Sequence, residues 1–121
     1  MKKIFLILTV VFFTTSGFSQ KKNAKVTFEV DGVCMMCKSR IEKAALNTKG
    51  VKFANWNVKT HQLMVIMDER KTDLQTVKQS VANVGHDTKE IKATDEVYDN
   101  LHGCCKYRDE EIKKDHQKEK K

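Results

Sequence analysis

Residues 25–45 read KVTFEVDGVCMMCKSRIEKAA, and the change of period inside this stretch decides the fold. From Lys25 to Asp31 apolar and polar residues alternate strictly. Val26, Phe28 and Val30 fall on one face, and Lys25, Thr27, Glu29 and Asp31 on the other. Successive side chains of a strand point to opposite faces, so this segment reads as a half-buried β-strand. Past Gly32 and Val33 the period lengthens. Cys37, Ile41, Ala44 and Ala45 recur at helical spacing, while Lys38, Arg40, Glu42 and Lys43 lie mostly off that stripe. A strand therefore feeds a helix through a short loop, with Cys34 and Cys37 at the junction.

Working outward, Gly50 marks a stop for the helix. Val51–Val58 reads as a second strand with Ala54, Trp56 and Val58 on one face, residues 59–62 as a polar turn, and Leu63–Met67 as a third, nearly all-apolar strand. Thr72 and Gln75 suit a capping box, in which each side chain satisfies the other's backbone amide. The helix they introduce carries Leu74, Val77, Val81 and Val84 on one stripe and ends at Gly85. Residues 86–93 form a weaker fourth strand whose one clearly apolar position is Ile91. The order strand, helix, strand, strand, helix, strand predicts an α+β fold. It is the ferredoxin-like βαββαβ sandwich, a four-stranded antiparallel sheet with two helices on one face.

The flanks read differently. Lys2 and Lys3 precede the apolar run Ile4–Phe13, and Gly17 and Ser19 are small residues at minus three and minus one from a cut before Gln20. That is the layout of a secretory signal peptide. The run is about half the roughly 20 residues a membrane span needs, so no stable membrane anchor is expected. No cysteine stands at the cut, so no lipid anchor is expected there. The chain thus divides into a signal peptide at 1–19, a folded domain at 24–93, and a Cys-Cys-containing segment with a charged C-terminal tail at 94–121. Within the last, Thr94–Leu101 has the pattern of one or two helical turns, and residues 108–121 that of a frayed helix or disordered tail. The expected location is periplasmic or secreted. Two lysines of the formal net charge of +7 belong to the leader. With no Arg-rich stripe or interleaved aromatics, nucleic acid is not an expected partner.

The chemistry-bearing residues are the four cysteines. Cys34 in the loop and Cys37 in the first helical turn can converge their sulfurs on one ion, and the positive helix end favours thiolate. Soft thiolates prefer Cu(I), Zn(II) and other thiophilic ions. Two sulfurs on an exposed loop leave such an ion open to a further ligand, as a carrier requires and a closed four-ligand site forbids. The competing reading is a Cys34–Cys37 disulfide, natural in an oxidising compartment. The chain has no proline, which excludes the cis-Pro of thioredoxin-type redox enzymes. No Ser-His-Asp set, phosphate-binding Gly loop or carboxylate pair is evident, so no conventional enzyme is expected.

The stretch Val30-Asp31-Gly32-Val33-Cys34-Met35-Met36-Cys37-Lys38-Ser39-Arg40-Ile41-Glu42-Lys43-Ala44 resembles the metal loop and first helix of the heavy-metal-associated (HMA) domain family, which includes copper chaperones, modules of metal-exporting ATPases and a periplasmic mercury-binding protein. Gly50-Val51, Asp68 and Val84-Gly85 also fall where that family ends its elements, so the resemblance spans about residues 24–93. It implies a soft metal ion held by Cys34 and Cys37 and passed on by ligand exchange to a membrane metal transporter or another metal-binding domain. Cu(I) is favoured, with Hg(II) or Zn(II) the runners-up. The loop departs from the pattern: one residue, Val33, separates Gly32 from Cys34, and the methionines Met35 and Met36 lie between the cysteines. Where the family has an aromatic under the metal loop, this chain has His86, which either fills that space or acts on the loop, tuning the thiolates or hydrogen-bonding it.

Cys104-Cys105, with His102 nearby, is the second soft-ligand cluster. An accessory metal site, a disulfide, and packing of the tail all remain open for it. Trp56 is expected in the core and His61 in solvent. Lys38, Arg40 and Lys43 flank the metal loop, placed either to guide an acidic partner or simply to be solvated. The expected function is an exported metal-binding protein that sequesters or transfers a soft ion; the alternative is a periplasmic thiol-disulfide redox protein. Export is checked by intact-mass measurement of the protein from the periplasmic fraction. A chain beginning at Gln20 is expected, and a full-length cytoplasmic chain would sink the reading.

Overall fold

The computed structural model describes residues 21–119, so the expected signal peptide lies outside it. Strand β1 runs Ala24–Glu29, helix α1 Met35–Leu46, β2 Val51–Trp56, β3 Gln62–Met67 and helix α2 Leu74–Asn83. Helix α3 (Asp95–Asp99), a 3-10 turn at Gly103–Cys105 and helix α4 (Glu110–Glu119) follow.

The antiparallel sheet has the order β1-β3-β2. Val26 stands opposite Val65 and Phe28 opposite Leu63, while Trp56 meets Leu63 from the other side. The pleat then sorts the strands: Leu63, Val65 and Met67 are buried and Met64 and Ile66 half-exposed. The expected α1 stripe of Cys37, Ile41, Ala44 and Ala45 is buried, as are Val77 and Val81 of α2. All of these but Ala44 close one core with Val30, Ala54 and Trp56. At about 25 cal/mol per Å² of apolar surface removed from water, this shared core is what holds sheet and helices together.

Local chemistry adjusts several ends. Helix α2 is capped by Asp73 rather than by a Thr72–Gln75 box. The Asp73 carboxylate accepts from the Thr76 backbone N–H at 2.8 Å and from its hydroxyl at 2.8 Å. An anionic acceptor at the positive helix end is preferred there. Helix α1 ends at Asn47, and Gly50 instead turns the chain into β2 at φ +96°. The β2–β3 turn is built by Asn57, whose side chain accepts from the amides of Lys59 and Thr60. It forces His61 to φ +61°, and His61 is not simply solvated: its ring stacks on Trp56 with centroids 5.5 Å apart.

The expected fourth strand is absent among the described residues, and its place is taken by an irregular segment. Asp31 N–H donates to the Asp87 carbonyl at 2.9 Å, but the chain then folds on itself, Thr88 N–H reaching the Ile91 carbonyl at 2.8 Å. The cause lies at Asp87. Its carboxylate accepts from the Ala93 amide at 2.7 Å and takes a two-pronged contact from Arg108 at 2.8 and 3.1 Å. Such local side-chain bonds compete with a strand ladder.

The same contacts draw the segment after Ala93 into the domain. Thr94 caps α3, and the pattern expected for Thr94–Leu101 is realised. Tyr98, Leu101, Cys105 and Tyr107 join the main core, so only the part beyond Arg108 is tail-like, and that part is helical. Tyr107 Oη donates to the Gly85 carbonyl at 2.6 Å and accepts from the Asp87 amide at 3.0 Å. Its ring stacks on His86 and meets Tyr98 edge-on. Leu101 packs where a Cβ on Gly85 would sit, 2.9 Å from its Cδ2, and Gly85 has φ +108°.

Burial pushes the Asp87 carboxyl up, but the Arg108 pair and the Ala93 amide outweigh it and hold it below the ordinary carboxylate range. A depressed carboxyl stabilises the fold above its unfolded pKa of about 4 and loses that contribution as pH falls through the folded value. Arg108→Gln is therefore expected to cost about 2 kcal/mol at pH 7 in urea unfolding. The gap to wild type should narrow as pH falls below about 4; a gap independent of pH would contradict the assignment.

Candidate metal centre

The loop between β1 and α1 is fixed from below. Trp56 is buried, and its Nε1 donates to the Val30 carbonyl at 3.0 Å. Gly32 lies so close to the indole that an added Cβ would stand 3.0 Å from Trp56 Cζ2 and Cη2 and 3.2 Å from Cys37 Cβ. Only glycine lets the loop sit down on the tryptophan. His86 sits fully buried beneath the same loop, its Nδ1–H donating to the Asp31 carbonyl at 2.8 Å. Burial lowers the His86 pKa to about 4, so the ring is neutral and carries the proton on Nδ1. It acts as a spacer and a loop tie, which joins the two readings the sequence offered.

Cys34 occupies the N-cap of α1, its backbone extended at φ −141°, with no side-chain cap and no acidic residue in the first turn. The first-turn amides and the helix dipole are thus left to face the sulfur. Burial pushes the Cys34 thiol up, yet the Cys37 amide and contacts from the Cys105 and Cys37 thiols outweigh it and hold it below the ordinary value. Cys37 is completely buried, and burial pushes its thiol up. The two Sγ atoms stand 3.3 Å apart.

The structure also brings the second pair to the first. Cys105 Sγ lies 3.3 Å from Cys34 Sγ and 3.8 Å from Cys104 Sγ, which in turn lies 3.4 Å from Met36 Sδ. The thiols of Cys34, Cys104 and Cys105 all fall within 4.8 Å of one another. His102 is not drawn in: it is exposed at the start of the 3-10 turn and enters through its backbone carbonyl, which accepts from Cys105 N–H at 2.8 Å. Cys105 is fully buried, and burial pushes its thiol up to about 12, while the Arg40 guanidinium beside it pulls the other way. In sequence Arg40 is a charge flanking the loop; its nearness to Cys105 is a tertiary fact. Lys38 points elsewhere, bonding Glu42, the Asn55 side chain and the Trp56 carbonyl along the β2 edge. Lys43 is exposed.

Four thiols and a thioether gathered at a helix N-terminus, without a carboxylate among them, define a binding domain for a soft metal ion. The chain belongs to the heavy-metal-associated domain family, whose model matches residues 27–87, half of the chain. A copper-exporting P-type ATPase from Staphylococcus haemolyticus is 36% identical over 66 residues, which are 54% of this chain and 8% of that protein. Among solved structures, the CopZ metallochaperone is 30% identical with a TM-score of 0.52, covering 54% of this chain and 98% of its own. The N-terminal domain of a potential copper-translocating P-type ATPase from Bacillus subtilis, in its Cu(I)-loaded state, is 26% identical with a TM-score of 0.51, covering 54% and 82%. The chain therefore spans a small fraction of the curated relative and nearly the whole of the small metallochaperone.

The thiols should differ in reactivity. At pH 7 Cys34, half-exposed and lowered in pKa, is expected to react with iodoacetamide at least about tenfold faster than Cys37 or Cys105. Peptide mass mapping reads the order of labelling, and Cys37 reacting first would overturn the electrostatic picture.

Proposed function

We propose that this protein binds Cu(I) as cargo and either sequesters it or passes it to a thiol-bearing acceptor in the periplasm or outside the cell. The observation that carries the reading is the Cys34–Cys37 pair, 3.3 Å apart at an uncapped helix N-terminus, with Cys34 already biased toward thiolate. Cu(I) is favoured over Zn(II) and Hg(II) because thioether sulfur from Met36 adjoins the thiols, and because copper is named in a curated relative and in a solved structure. Binding displaces thiol protons to solvent, so affinity rises with pH across the range where the thiols titrate. The acceptor is proposed to be a membrane metal transporter or another metal-binding domain, and no catalytic turnover is assigned to the chain.

Transfer proceeds by exchange. An incoming thiolate bonds to the ion, and one resident Cu–S bond then breaks, the released thiolate taking up a proton from water. No electron changes hands, which separates this chemistry from the thiol-disulfide alternative.

Titration of the reduced chain, residues 20–121, with Cu(I) against a chromophoric chelator tests the proposal. Cys34→Ser/Cys37→Ser is expected to lose at least about a hundredfold in affinity. Unchanged affinity sinks the carrier reading, and Cys34-dependent reduction of insulin disulfides would favour the redox one.

A further inference from the structure

The sulfurs do not form two separate sites. They make one string, Cys37–Cys34–Cys105–Cys104–Met36, with successive contacts of 3.3, 3.3, 3.8 and 3.4 Å. It runs from the fully buried Cys37 to the exposed Cys104 and Met36. Cys34 and Cys105 are separated by 71 residues in sequence, so their contact is a product of the tertiary fold. We propose that residues 94–113 form a thiol-bearing arm that closes the metal site, Cys105 joining Cys34 and Cys37 on a single soft ion, with Cys104 and Met36 at its solvent side. This rests on the carrier reading above and adds a closed, retaining state to it.

Two observations carry the arm. First, the spacing suits one ion. A metal–sulfur bond near 2.3 Å places neighbouring sulfurs of a trigonal or tetrahedral site about 4 Å apart, close to the contacts in the string. Second, the thiols are delivered by anchors that involve no sulfur. Leu101 packs on Gly85 before them, and after them Tyr107 is hydrogen-bonded between the Gly85 carbonyl and the Asp87 amide, with Arg108 paired to Asp87. The arm is thus held in place by the protein rather than awaiting the ion.

A site closed in this way holds its ion against thiolates from outside. Release requires the Cu–Cys105 bond to break, with Cys105 reprotonated from water as the incoming sulfur bonds, and the arm to lift from Asp87. The arm therefore shifts the protein from rapid exchange toward retention, and makes undocking of Tyr107 and Arg108 the gate.

Cu(I) is the probe, with the reduced chain 20–121 and two variants. Cys104→Ser/Cys105→Ser removes the arm thiols; Tyr107→Phe/Arg108→Gln leaves every sulfur and loosens the anchors. Sulfur coordination is read by X-ray absorption, affinity and extraction rate by chelator competition, and arm closure by protease protection of residues 94–113. Wild type is expected to bind one ion with three or more sulfurs and to gain protection on loading. The thiol variant should show two sulfurs, at least about tenfold lower affinity, faster extraction and no gain in protection. The anchor variant should keep the cysteines yet release copper faster. Unchanged sulfur number and affinity in the thiol variant overturn the arm, as does a wild type that binds a second, independent ion lost in that variant. Failure of the carrier reading is distinguishable, because there Cys34→Ser/Cys37→Ser would retain its copper.

Discussion

The buried carboxylate of Asp87 organises the molecule. Its backbone carbonyl holds the Asp31 amide of the metal loop, and its amide bonds the Tyr107 hydroxyl. Its side chain takes Arg108 and the Ala93 amide. One residue thus ties together the loop that carries Cys34, the segment that displaces a fourth strand, and the chain end that carries Cys105. A carboxylate taken out of water must be matched by donors, and its donors, the Ala93 amide and Arg108, come from sequence beyond the sheet. Satisfying Asp87 is what folds the C-terminal segment over the site.

The site itself depends on what is left unsatisfied. Helix α1 begins at a cysteine where Ser, Thr, Asp or Asn would ordinarily cap, and no acid stands in its first turn. The helix end therefore directs its positive charge at sulfur. Around it, Cys37 and Cys105 are fully buried with thiols raised by burial, while Cys34 is lowered. Bringing these thiols to thiolate together requires a cation among them, and this makes proton release the counterpart of metal uptake. Among the described residues no helix is long and apolar enough to cross a membrane.

Much of the domain was legible because its signals are local and periodic. The two-residue alternation of β1 and the stripe Cys37, Ile41, Ala44, Ala45 survive in the structure nearly unaltered, since one face of each element must be buried whatever its partners. Cys34 and Cys37, Gly32 and Trp56 could likewise be picked out. The misreadings share a cause. Residues 86–93 have apolar content too thin to fix a strand, and a carboxylate there was free to choose local donors over a ladder. The α2 cap moved by one residue because Asp73 outcompetes Thr72 as acceptor. The shared burial of Tyr98, Leu101, Cys105 and Tyr107 was not legible, because only Tyr98 stands in a regular helix and the other three lie in turns, where spacing does not say which side is buried.

By itself, then, the sequence determined the α+β order, the cysteine loop between strand and helix, and the softness of the ligand set, all of which follow from side-chain chemistry and near-neighbour spacing. Only the tertiary structure decided that the two cysteine pairs meet, that His102 stays outside while Arg40 faces Cys105, and that the chain end belongs to the core. Those facts depend on contacts between residues tens of positions apart, made when Asp87 and the Tyr107 hydroxyl find partners on burial. Such contacts leave no periodic trace in the chain, because they are set by geometry that exists only once the sheet and helices have packed.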